Sequence, residues 1–392
     1  MNGFTDKVAG ALYGGAIGDG MAASVEGYAR EMILEKCGTI ESFLPPYDWD
    51  WRTQTLTPRP ERETGKGNGR ITDDTVMVEA LIRSYLTHGK HLDAFAYRDV
   101  FAPEMAERPV WIPEWQREAP VLERLARAEQ WHIRGLLASN RDPRFWGTNL
   151  YHISCGAAMC AWPVGAANPG DPVGAYREAT AFFGAQTYSY GLESAAVMAA
   201  AVAEAFAPDA TARSVIDAAL AVARDATREM IYAAVEALTP GGSRDKDLPA
   251  VRAAVSPWHI KTAKTDCPSL PEGDAGAAQS LRNIGIESNL HACEEMPVAL
   301  AMLLRCDGDP RETICAAGEY GNDCDSIAGM AGSLAGALRG ASAIPDDWKT
   351  YSDLQNRRDY TAQAGEFAKV IEALALDDER RINRRKQSTG VE

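Results

Sequence analysis

The stretch "IAGMAGSLAGALRG", residues 327–340, places glycine at 329, 332, 336 and 340, spaced three, four and four. Steps of three and four residues fall on one face of a helix. Each glycine inside a helix costs roughly 0.5–1 kcal/mol relative to alanine, so a row of them needs a compensating gain. The gain expected is close backbone approach by a neighbouring helix, which brings the start of the glycine helix beside the start of another. Just upstream, in "GNDCDSIAG", Asp323 and Asp325 lie two residues apart and Ser326 follows. Read alone, an aspartate N-cap on a tightly packed helix accounts for them.

A second helix start carries the same chemistry. "ITDDTVMVEAL", residues 71–81, sets Asp73 and Asp74 between Thr72 and Thr75. Thr72 can cap the helix with its hydroxyl, and the helix dipole favours acids in the first turn. One aspartate would serve that purpose, and two adjacent ones repel. An oxygen-rich cluster of this kind suits a hard cation such as Mg²⁺. If the two helix starts meet, four carboxylates and two hydroxyls converge, and such a set stays ionised only around cations. The pairing therefore predicts two divalent ions. A third element, "GALYGGAIGDGMAASVEG" (residues 10–27), reads as another small-residue packing helix that ends near Asp19–Gly20, with Glu26 beyond it.

Helical periodicity or helix-former composition covers 5–25, 73–88, 192–206, 212–238, 289–305, 310–320 and 325–340. No series of short alternating runs points to a sheet. The expected fold class is all-α, a compact single helical domain over residues 1–375 followed by a charged, fraying tail over 376–392. Three segments interrupt the pattern: 41–70, with four prolines, three glycines and both Trp49 and Trp51; 141–174; and 240–288. They read as long loops, which in a compact chain tend to be functional. A net charge of −15 and a pI near 5.0 make nucleic acid and anionic membrane poor partners. The Ala-rich run near residue 200 is too short to span a bilayer, the N-terminus lacks the pattern of a signal peptide, and the eight scattered cysteines read as reduced thiols. A cytoplasmic protein is expected.

Taken together and in this order, "GAIGDGMAASVEG", "TDDT", "CGAAMCAWPVG" and "GNDCDSIAGMAGSLAGALRG" followed by "IPDDW" resemble the ADP-ribosylglycohydrolase family, whose motifs here span residues 10 to 348. The resemblance implies a binuclear centre of two Mg²⁺ (or Mn²⁺) ions. Thr72, Asp73 and Asp74 would hold one ion, Asp323 and Ser326 the other, with Asp325 bridging or shared. It implies Glu26 as the acid/base or water-positioning group, so that Glu26, Asp74 and Asp325 form the catalytic set. The implied activity is hydrolysis of the glycosidic bond at the anomeric carbon of a ribosyl group on an ADP-ribosylated protein or an ADP-ribose conjugate. The alternatives are a smaller riboside or nucleoside-like substrate, and a non-catalytic ribosyl-binding member of the fold. The substrate pocket is expected to draw on Asp19, Asn149, Ser154 and Gly156. Tyr188, Asn322 and a stacking Trp49 complete it, with Trp51, Tyr151 and His152 nearby. Three positions depart from the family pattern. Ser326 replaces the usual threonine and keeps its hydroxyl. Cys155 and Cys160 stand where many members carry asparagine and arginine. Thr187–Tyr188 stands where a Thr-His segment is usual. The last two changes fall where a substrate would be gripped.

Overall fold

The computed structural model describes residues 3–50, 52–53, 55–149, 153–263 and 291–390, with side chains throughout except at 256–263 and 291–293. Trp51, Tyr151 and His152 lie outside the described residues. The longer helices run α1 Gly3–Ala22, α2 Arg30–Cys37, α3 Asp73–His88, α4 Arg127–Leu137, α5 Pro172–Phe183, α6 Ser189–Ala205 and α7 Ala212–Val222. They continue as α8 Asp225–Glu236, α9 Arg244–Ala263, α10 His291–Arg305, α11 Pro310–Glu319, α12 Cys324–Arg339, α13 Asp346–Asn356 and α14 Tyr360–Thr389. Among the described residues the strands form two antiparallel hairpins, β1 Tyr47–Asp50 with β2 Thr55–Pro58, and β3 Pro109–Ile112 with β4 Arg117–Pro120. No described helix is long and apolar enough to cross a membrane. The fold is all-α.

Its axis is the antiparallel pair α1–α12. A Cβ built on Gly14 would fall 2.6 Å from the carbonyl carbon of Gly332, and one on Gly332 would fall 2.7 Å from that of Gly14. Gly10 faces Gly336 and Gly18 faces Ala328 in the same manner. Backbone therefore lies directly on backbone, and this contact is the gain that offsets the cost of the glycines. Two glycines of the 329–340 row do other work. At Gly329 a Cβ would meet nothing closer than 3.6 Å, and Gly340 ends α12 in a positive-φ conformation (φ +84°) that favours glycine. Because the pair is antiparallel, the last turn of α1, with Asp19, arrives beside the first turn of α12, with Asp325.

Around this pair the core is rich in alanine. The middle of α6, from Ser194 to Ala203, is buried throughout, and the small side chains let α5, α10 and α12 close around it. The region expected as one helix over 212–238 is two. Ala223 is extended (ψ 145°), and the Arg224 N–H donates to Glu193 Oε1 at 2.8 Å instead of continuing the helical ladder. The supposed loops are partly regular: 41–70 contains the β1–β2 hairpin, 141–174 the start of α5, and 240–288 the whole of α9. The C-terminal charge run does not fray into a coil. α14 continues to Thr389 beyond Leu374, its last buried side chain, with Asp377–Arg380 and Asp378–Arg381 ion pairs along the exposed part. Pairs at such spacing support a solvated helix.

Candidate active site

Three chain segments converge where α1 ends and α3 and α12 begin. The first is Asp19, which is fully buried. Its carboxylate accepts from the Thr72 N–H (2.9 Å), the Thr75 N–H (3.2 Å) and the Thr75 hydroxyl (2.6 Å), and so caps α3 from outside that helix. Gly20 leaves room for the chain entering α3, since a Cβ there would meet Gly69 carbonyl oxygen at 2.6 Å. Asn356 clamps the same entry: its amide oxygen accepts from Ile71 N–H (3.0 Å), and its NH₂ donates to Gly69 O (2.9 Å).

The second segment is Thr72–Asp74. Thr72 is the N-cap of α3, as its hydroxyl in the sequence suggests, and it also donates that hydroxyl to Asp74 Oδ2 at 3.1 Å. Asp74 is buried and turned inward, and its Oδ1 has no hydrogen-bond partner. Asp73, expected beside it as a ligand, is engaged by a cation. Its side chain is 27% exposed and pairs with Arg124 Nη2 at 3.1 Å, while Arg124 also grips Glu114.

The third segment is Asn322–Ser326 with the strip after α1. Asn322 N–H donates to Tyr28 O (2.9 Å), and Gly27 N–H donates to Asn322 O (2.7 Å). This reciprocal pairing lays Glu26 alongside Asp323. Asn322 adopts φ +57°, which asparagine tolerates, and its amide donates to Glu294 Oε1 at 3.1 Å. These bonds fix the turn before α12. Asp325 is buried (2% exposed), Asp323 half-buried and Glu26 the most open (38% exposed).

The carboxylate oxygens form two groups, in each of which one oxygen per residue lies within 4.8 Å of the others: Asp19, Asp74 and Asp325, and Glu26, Asp323 and Asp325. Asp325 belongs to both. Burial, followed by the charge of Asp325, pushes Asp19 up to about 7. Burial, Asp325 and the other acids hold Asp74 and Asp323 well above the usual carboxylate range. A set of acids this crowded keeps its protons unless a cation takes their place. The orphaned, buried Asp74 Oδ1 and the oxygen-only donor set fit a hard divalent ion. Ser326 is buried next to this set, its Oγ 3.7 Å from Cys155 Sγ.

Two further residues, one of them unmarked in the sequence, sit in the same place. The Lys66 ammonium pairs with Glu26 and lies 3.1 Å from Asp325 Oδ2. Its only sequence signal is its place between the glycines of "TGKGNGR". Cys155, noted as a departure from the family, donates its thiol to Asp323 Oδ2 at 3.2 Å. The expected pocket residues spread more widely. Ser154 Oγ accepts from Gly156 N–H at 3.3 Å, and Gly156 O accepts from Gln186 Nε2 at 3.1 Å. Tyr188 is half-buried at the start of α6. Asn149 is exposed, its amide donating to Trp146 O at 2.9 Å. Trp49 sits on β1 with its ring centroid 5.7 Å from that of Tyr28, which follows Glu26 by two residues. Asp19, expected to touch substrate, has no exposed surface and belongs to the carboxylate cluster instead.

The arrangement can be compared with known proteins. The profile of the family described as ADP-ribosylglycohydrolase matches residues 1–380. The chain is 24% identical over 367 residues to the uncharacterized protein YegU of Escherichia coli (strain K12), covering 93% of this chain and 97% of that one. It also shares its fold with a solved structure titled "ADP-ribosylglycohydrolase-related protein complex", at TM-score 0.56 and 19% identity, covering 95% of this chain and all of the other. The family match spans every residue that builds the glycine-packed helix pair and both carboxylate groups. The chain therefore belongs to the ADP-ribosylglycohydrolase family, a family of glycoside hydrolases that use a divalent metal ion.

Proposed function

We propose that this protein is a divalent-metal-dependent hydrolase that cleaves the glycosidic bond at the anomeric carbon of a ribosyl group carried by an ADP-ribosylated protein or an ADP-ribose conjugate. The observation that carries the metal assignment is the pair of carboxylate groups sharing Asp325, one of them holding the orphaned oxygen of Asp74. Two ions, Mg²⁺ or Mn²⁺, would be held by Asp19, Asp74 and Asp325 on the buried side and by Asp323 and Asp325 on the open side, with the Thr72 and Ser326 hydroxyls adjoining. When bound, such ions orient sugar hydroxyls and lower the pKa of water.

The chain's own residues do the rest. Glu26 is the most exposed carboxylate of the set and stands at its solvent edge, where it can take a proton from an attacking water or return one to a leaving group. Cleavage at an anomeric carbon builds positive charge on the sugar ring, which a carboxylate-lined floor stabilises. The Asp19 carboxylate bonded to the Thr72 N–H supports the start of α3, and the backbone pairing of Asn322 with Gly27 and Tyr28 supports Glu26 beside Asp323.

One observation favours a second reading, a smaller riboside. The segment from Ile153 to Ala167 carries no lysine or arginine, and Cys160 is buried with its thiol given to Gly156 O and Ala157 O. Lys66 and Arg124 are both engaged with carboxylates. That wall thus offers no cation for a pyrophosphate. The deciding experiment is hydrolysis by the full-length protein of ADP-ribosyl-arginine, ADP-ribosyl-serine and a panel of ribosides, after chelation and again with MgCl₂ or MnCl₂ restored. Metal-restored turnover of an ADP-ribosyl compound supports the first reading. Turnover of ribosides alone supports the second. Binding without turnover on any member identifies a ribosyl-binding protein and refutes both.

A further inference from the structure

Lys66 stands where the open carboxylate group most needs a cation. Its ammonium pairs with Glu26 and lies 3.1 Å from Asp325 Oδ2, bridging two members of the Glu26–Asp323–Asp325 group. Among the described residues, Asp19 and Asp74 on the buried side have no ion pair with lysine or arginine, so Lys66 engages the buried group through the shared Asp325 alone and the open group through both Asp325 and Glu26.

The backbone that carries Lys66 is anchored on both sides. Gly65 N–H donates to Glu114 O (2.7 Å), Asn68 N–H donates to Leu44 O (2.8 Å), and Arg70 Nη1 donates to Gly65 O (2.9 Å). Gly65 and Gly67 hold positive φ angles (+87° and +109°), and Gly67 packs against Pro46 with no room for a Cβ. The loop is therefore fixed, while the lysine side chain, 30% exposed, has a path to solvent through rotation of its methylene stem.

We propose that Lys66 is a resident counter-cation that competes with a divalent ion for the open position at Asp323 and Asp325. The inference rests on reading the cluster as a metal centre. It makes the two ion positions unequal. The buried position fills first, and the open one fills only as Lys66 swings away. The same movement releases Glu26 from its ion pair, so occupancy of the open position and availability of Glu26 as a base rise together. The concentration of divalent ion then sets the fraction of protein with a free acid/base group.

The test is calorimetric titration of the metal-free full-length protein with MnCl₂, for the wild type, K66M and K66R. The wild type should show a tight and a weak class of ion. K66M should tighten the weak class by at least about tenfold, a conservative figure for removing a unit charge a few ångströms away at an effective dielectric of about 20, and should tighten the tight class by less, because Lys66 reaches that group only through the shared Asp325. K66R, which keeps the charge, should leave the weak class weak. As a second readout, amine labelling of wild-type Lys66 followed by mass spectrometry should be slow without metal and faster at saturating MnCl₂. Equal weak-class affinities in wild type and K66M, or labelling that does not rise with metal, would overturn the competition while leaving the metal centre standing. No binding in any of the three proteins would remove the metal reading and the competition together.

Discussion

Gly332→Ala tests whether the helix pair α1–α12 truly builds the site. A Cβ at 332 falls 2.7 Å from the carbonyl carbon of Gly14, closer still to its oxygen, and 3.0 Å from Ile314 Cγ1. Ordinary van der Waals contact begins near 3.4 Å, so the carbon alone must retreat by about 3.4 − 2.7 = 0.7 Å. The opposing atoms are backbone of a packed helix and cannot turn aside as a side chain does. Overpacking of this kind costs about 1–3 kcal/mol, and backbone opposition argues for the upper end. Alanine returns up to about 1 kcal/mol of helix propensity, which leaves a net loss near 2 kcal/mol. Gly329→Ala is the internal control. Its Cβ would meet nothing closer than 3.6 Å, so it keeps the gain and should stabilise by about 0.5–1 kcal/mol. Urea unfolding of both variants in chelator should thus place their stabilities about 3 kcal/mol apart, with Gly332→Ala also losing Mn²⁺ affinity because Asp19 and Asp325 move apart. Equal stabilities, or an unstable Gly332→Ala that binds Mn²⁺ as the wild type does, would refute the claim that backbone contact between the helices sets the carboxylate geometry.

Asp325→Asn should abolish both ion classes in a calorimetric titration, because Asp325 is the residue common to both carboxylate groups, whereas Asp73→Asn should leave at least the buried class intact. Glu26→Gln should lower kcat on a verified ribosyl substrate by about 10²–10⁴, the usual worth of general acid–base catalysis, with the buried ion class unchanged; full activity in that variant would reject the role. Metal affinity should fall as pH drops through about 7, the value to which burial and Asp325 raise Asp19, because a proton then holds the place of the ion. Proton release on Mn²⁺ binding, measured by titration in buffers of different ionisation enthalpy, checks this. The sign for stability follows from the same shift: the folded metal-free protein holds protons that the unfolded chain has already lost above pH ~4, so between about pH 4 and 7 its stability declines as pH rises. Urea midpoints at pH 5.5 and 7.5, with and without metal, measure that trend.

Much of the fold could be read directly. α3 begins at Asp73, where Thr72 caps it, and stops before Gly89 in a left-handed C-terminal turn, because both signals are local. The glycine row of α12 forecast a backbone neighbour, though the identity of that neighbour and the separate tasks of Gly329 and Gly340 depend on tertiary contact. The break between α7 and α8 has no glycine or proline to announce it, since the cause is the distant carboxylate of Glu193. The site divides along the same line. Asp74, Asp323, Asp325 and Glu26 were marked by motif and do converge. Which of Asp73 and Asp74 faces inward, the recruitment of Asp19, and the insertion of Lys66 are set by helix phase and by contacts between segments far apart in the chain. No local pattern encodes those.

The most direct test of the metal centre is anomalous scattering from crystals of the full-length protein at saturating MnCl₂. The geometry predicts two peaks, one against Asp19, Asp74 and Asp325 and one against Asp323 and Asp325, with Asp325 touching both. No peak at the start of α3 and α12, or a peak elsewhere with these carboxylates left protonated, would contradict it.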